Sequence, residues 1–111
     1  MRLQPIIYTT DMPATVAWYS TVLGSEPTYT SDVWSSFEVA GATLGVHRVE
    51  TLSDRGRVEL SLVTTDALQE VLARVTAAGI EPQRGIADES FGRSFVLEDP
   101  DGSPVQVNEH A

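Results

Sequence analysis

The chain has 111 residues, 41% of them hydrophobic, enough for one domain and without any apolar run near the roughly 18 residues of a membrane span. It contains neither Cys nor Lys, which excludes disulfides, thiolate nucleophiles, zinc–thiolate centres, Schiff-base lysines and the phosphate-loop lysine. Seven Arg against sixteen Asp and Glu give a net charge of −9, a field that repels phosphate backbones and anionic lipid and favours cationic or metal-bearing ligands.

No nucleic-acid or membrane partner is therefore expected. The same acidity also serves solubility alone. The N-terminus lacks the basic-then-apolar pattern of a signal peptide, so a cytoplasmic location is expected.

The first element in chain order is a strand over Leu3–Thr9. Asp11 is a good N-cap for a helix with Pro13 in its first turn, and Gly24 supplies the left-handed stop. Val16, Tyr19 and Leu23 recur on one side of that helix. Three short strands follow near Thr28–Thr30, Val33–Val39 and Ala42–Arg48, with turns at Ser31-Asp32 and Ala40-Gly41. Residues 49–56 read as a linker. A strand over Arg57–Thr64 leads to a second helix, where Asp66 and Gln69 suggest a capping box. Leu68, Val71, Leu72 and Val75 form its apolar stripe, and Gly79 ends it. Strands near Pro82–Ile86, Arg93–Glu98 and Pro104–Glu109 close the chain, the last two joined by the turn Asp99-Pro100-Asp101-Gly102. His110, beside the C-terminus, is expected to be frayed and inert.

The order is βαβββ, twice, and the sequence itself repeats. Thr9-Thr10-Asp11 with Gly24-x-Glu26-Pro27 returns as Thr64-Thr65-Asp66 with Gly79-x-Glu81-Pro82, both pieces 55 residues later. A fixed offset carrying a helix start and a helix stop implies duplicated architecture. The expectation is one α+β domain over residues 1–111, built of a module at 1–50 and a module at 57–111. Their curved mixed sheets would carry the helices outside and enclose a cup.

The paired modules, the Trp18-Tyr19…Val22-Leu23-Gly24 helix end and the Asp99-Pro100-Asp101-Gly102 turn resemble the vicinal oxygen chelate superfamily. That superfamily includes glyoxalase I, bleomycin-resistance proteins and extradiol dioxygenases, and the resemblance covers essentially the whole chain. It specifies fold more than activity. In metal-dependent members, one ligand comes from the first strand and one from the last strand of each module. The corresponding positions here are Gln4 and Glu59, seven residues before each capping Asp, and Gly45 and Gln106, four after each turn glycine. The family pattern puts His or Gln on first strands and Glu on last strands. Gly45 offers no donor, Gln4 and Gln106 are neutral, and only Glu59 is charged, a weak set for a divalent ion.

Strand alternation gives the cup lining independently. Leu60, Leu62, Phe37, Val39, Phe95 and Leu97 face the helices. Gln4, Ile6, Tyr8, Trp34, Ser36, Glu38, Thr43, Gly45, His47, Glu59, Ser61, Val63, Ser94, Val96, Glu98, Gln106 and Asn108 then face the cup.

Tyr8, Trp34, Glu38, His47, Glu59 and Gln106 are the candidate ligand-binding residues, with no metal ligand and no cofactor assigned. Aromatic area with a few placed polar groups fits a small-molecule site. Each residue also has a plain structural reading: Trp34 and Tyr8 as packing, Glu59 and Glu38 as solvated strand residues. The leading expectation is metal-independent binding of an aromatic or cationic molecule, resembling drug sequestration by bleomycin-resistance proteins, in a homodimer. The alternative is a metal-dependent glyoxalase-type lyase or isomerase holding its ion through Glu59, His47, Gln106 and Gln4.

Overall fold

The computed structural model describes residues 1–53, 57–98, 100 and 102–111. Among these residues it has nine strands and two helices, in an α+β arrangement of two βαβββ modules. The chain divides into two compact units, residues 4–59 and residues 1–3 with 60–111. Three of the residues read as linker, 54–56, lie outside the described set.

In the first unit, β2 (Ile6–Thr9), α1 (Met12–Leu23), β3 (Tyr29–Thr30), β4 (Trp34–Val39) and β5 (Ala42–Arg48) form the module. Its sheet order is β3-β4-β5-β2, with β2 and β5 parallel and Val58-Glu59 pairing antiparallel along β2. The expected strand Leu3–Thr9 is divided: β1 covers only Arg2–Leu3, and Pro5, which has no N–H to give a ladder, falls in the gap. Phe37 and Val46 are fully buried against Met12, Val16, Tyr19 and Leu23 of the helix. Ser35 shares that side, donating to the Met12 sulfur at 3.4 Å.

In the second unit, β6 (Val58–Val63), α2 (Leu68–Ala77), β7 (Arg84–Glu89), β8 (Gly92–Glu98) and β9 (Pro104–His110) follow, β6 entering through Leu60. The order is β1-β6-β9-β8-β7, with β6 and β9 parallel. Phe95 and Val107 are buried under Leu68 and Val71, with Leu72, Val75, Ile86 and Leu97 around them. At the predicted 99–102 turn, Asp99 and Asp101 lie outside the described residues. Gly102 has φ +90°, and Glu98 pairs with Pro104 across the hairpin.

The repeat is visible as geometry. The Asp11 N–H donates to the Thr9 hydroxyl, and the Asp66 N–H to the Thr64 hydroxyl, each at 3.0 Å. The helix starts then differ. Asp11 caps α1 by accepting from the Ala14 N–H at 3.1 Å. The expected capping box of Asp66 and Gln69 does not form: the N-cap is Ala67, which has no side chain to offer. Glu109, from β9, accepts from the Leu68 N–H at 2.7 Å and holds Arg93 at 3.0 Å. These two donors, the Leu68 N–H first, hold the Glu109 carboxyl below its ordinary range. His110 is not frayed: as the last residue of β9 it pairs with Gly92 of β8 and meets Phe91 edge-on, and burial, followed by Arg2, lowers its pKa. Among the described residues no helix is long and apolar enough to cross a membrane.

Candidate ligand-binding face

The helix occupies one side of the first unit's sheet, so the alternating residues of β4, β5 and β2 present a second face away from it. Trp34 stands opposite His47, and His47 beside Tyr8, forming a row of three rings across three neighbouring strands. Their centroids are 6.0 Å apart for Trp34 and His47 and 5.6 Å for Tyr8 and His47. The next row reads Ser36, Gly45, Ile6 and Glu59, and the third pairs Glu38 with Thr43. The Thr43 hydroxyl donates to Glu38 Oε1 at 3.3 Å. Tyr8, Trp34 and Glu59 are half-buried, while Glu38 and His47 are exposed.

Five of the six predicted residues thus lie on one face of one unit. Gln106 belongs to the other unit, paired with Ser61 and Val96. Gln4 is buried between β1 and β2.

Gly45 explains how the ring row is seated. A Cβ built there would overlap the indole of Trp34, so the ring crosses directly above the glycine. This is the position where the family pattern places a carboxylate. Trp34 fills that space with an apolar ring. Among the described residues no three His, Asp or Glu side chains come together. A divalent ion needs several strong oxygen or imidazole donors, and this face does not fit one.

The corresponding face of the second unit is polar. Ser61, Ser94 and Asn108 are buried, and Asn108 Nδ2 donates to Ser61 Oγ at 2.9 Å. Asn108 Oδ1 has no hydrogen-bond partner among the described residues. Arg84 reaches Ser94 Oγ at 2.8 Å and lies 3.8 Å from Glu89. Sequence reading missed Arg84 because the β7–β8 register shifts between Arg84 and Ala87, breaking simple alternation. The available signal was an Arg beside a glycine inside a strand, a pattern that marks a bulge.

The model of the glyoxalase-like domain family matches residues 5–108, and the chain belongs to that family. Among solved structures, one described as an NAD-dependent benzaldehyde dehydrogenase from Legionella pneumophila is similar at 19% identity and a TM-score of 0.84, covering 98% of this chain and 99% of that one. A glyoxalase/bleomycin resistance protein/dioxygenase superfamily member from Vibrio splendidus is 19% identical with a TM-score of 0.72, covering 97% of both chains. A hypothetical protein from Bacillus halodurans is 12% identical with a TM-score of 0.79, covering 97% of this chain and 92% of that one. Comparison with curated proteins gives no match. The fold and the vicinal oxygen chelate superfamily are thereby established, and at these identities the neighbours carry the fold alone.

Proposed function

We propose that the protein binds a small planar or cationic molecule without metal chemistry, on the face formed by Tyr8, Trp34 and His47, and sequesters it in the manner of bleomycin-resistance proteins. The observation that supports this most is the ring row itself, with Glu59 and Glu38 on the same face. An indole offers its negative π face to a cation or planar ring, and two carboxylates add long-range attraction within a chain of net charge −9. Sequestration needs no reacting group. It lowers the free concentration of a toxic compound by occupancy, and a resistance role in the cytoplasm is part of this proposal.

The protein acts as a twofold homodimer with equivalent sites. Light scattering at micromolar concentration checks this, and a monomer there contradicts it.

Calorimetric titration with a panel of cationic glycopeptides and planar cationic drugs tests the binding. Saturable heat is expected from at least one compound, with affinity about tenfold weaker in Trp34→Ala and falling as salt is raised. Absence of saturation across the panel, or a Trp34→Ala variant that binds equally well, removes the reading.

A further inference from the structure

Helix α1 has no acidic or basic side chain from Met12 to Leu23, whereas α2 carries Glu70 and Arg74. One side of α1 is spent on the core with Phe37 and Val46. The other leaves Trp18 59% and Val22 61% exposed, an unusual display for a surface helix. Beside it runs a groove of about 310 Å³ lined by Ala14, Thr15, Trp18, Tyr19 and Arg57. The Trp18 and Tyr19 rings meet edge-on at 4.8 Å, so the indole is braced. Arg57 Nε donates to the Tyr8 carbonyl oxygen at 3.2 Å, which anchors the guanidinium. Thr15 shares its hydroxyl with Thr9 at 2.7 Å and is committed to the fold. Among the described residues lining the groove, Arg57 is the one that carries a charge.

We infer that this groove is a second binding site, on the helix-covered side of the first unit, for a small planar aromatic carboxylate. Three features select that class. A dry cavity of about 150 Å³ suffices for benzene, so this volume admits one substituted ring or two fused ones. Trp18 supplies a flat apolar surface that gains by being covered. An anchored guanidinium with no carboxylate among the described residues of the groove favours a carboxylate ligand, which it pairs with through charge-assisted hydrogen bonds. On a chain of net charge −9, such a spot accepts an anion that the remaining surface repels. The site is separate from the proposed ring-row site, which lies on the helix-free face and asks for the opposite charge.

Ligand-observed ¹⁹F NMR with 4-(trifluoromethyl)benzoate on the full chain tests this. Saturable broadening is expected in the low-millimolar range or tighter, competed by unlabelled aromatic acids. The neutral benzyl alcohol analogue should bind about tenfold more weakly, and the benzylamine analogue not at all. Arg57→Gln should weaken the benzoate about tenfold, Arg57→Lys by less, and Trp18→Ala should abolish saturation. Trp34→Phe should leave benzoate binding unchanged, which separates a failure here from a failure of the ring-row site. The inference is overturned if the three analogues bind alike, if Arg57→Gln equals wild type, or if Trp34→Phe removes the signal. It is also overturned if sedimentation shows the Trp18 face already covered by a second copy, with Trp18→Ala dissociating the pair.

Discussion

The two modules share a scaffold and differ in what their helix-free faces display. Both open with the same threonine–aspartate turn, and both bury a phenylalanine, Phe37 or Phe95, under a helix. Yet the first face carries three rings and two carboxylates, while the second carries Ser61, Ser94, Asn108 and Arg84. Duplication preserved the parts that set backbone geometry and left the face free to diverge, because strand alternation makes the two faces chemically independent. In a superfamily that hosts many chemistries, the face rather than the repeat carries function.

The scaffold half of this comparison breaks first under core truncation. Phe37→Ala and Phe95→Ala should each cost about 3–5 kcal/mol, measured by denaturant unfolding, since both rings are fully buried. A large loss in one variant and near-neutrality in the other would end the equivalence of the two cores. Next in size is Gly45→Ala, which forces the Trp34 ring off its seat and should cost about 1–3 kcal/mol as an overpacking change. It should also weaken binding at the ring row.

The helix starts sharpen the contrast further. Asp11→Ala should cost about 1 kcal/mol through loss of a local cap. Glu109→Gln should act differently, through pH. The folded Glu109 carboxyl titrates below its ordinary value, so its contribution is fully present above about pH 4.5 and is lost as pH falls through the folded pKa. Unfolding curves of wild type and Glu109→Gln should therefore converge in acid and separate toward neutrality. A constant gap across pH would mean the carboxylate is not the cap.

What the sequence made legible is what local rules govern. The limits of β5, the Asp11 cap and the facing of Trp34, Glu38, His47 and Glu59 all follow from capping chemistry and period-two alternation. What escaped depends on distant partners or on broken alternation. Glu109 caps a helix that begins at Leu68, far back in the chain, and nothing near Ala67 announces it. Arg84 was hidden by a register shift. The meaning of Gly45 changed as well: from sequence it is a missing donor, and in the fold it is the space an indole needs. That second reading requires knowing that β4 and β5 pair Ser36 with Gly45 and Trp34 with His47.

The most direct test is amide and indole shift mapping on isotopically labelled protein saturated with the tightest planar cation. The account predicts the largest perturbations at the Trp34 indole N–H, Gly45 and His47, with the Trp18 indole unmoved. Perturbations centred on Trp18, or on Ser94 and Asn108 with the ring row silent, would contradict it.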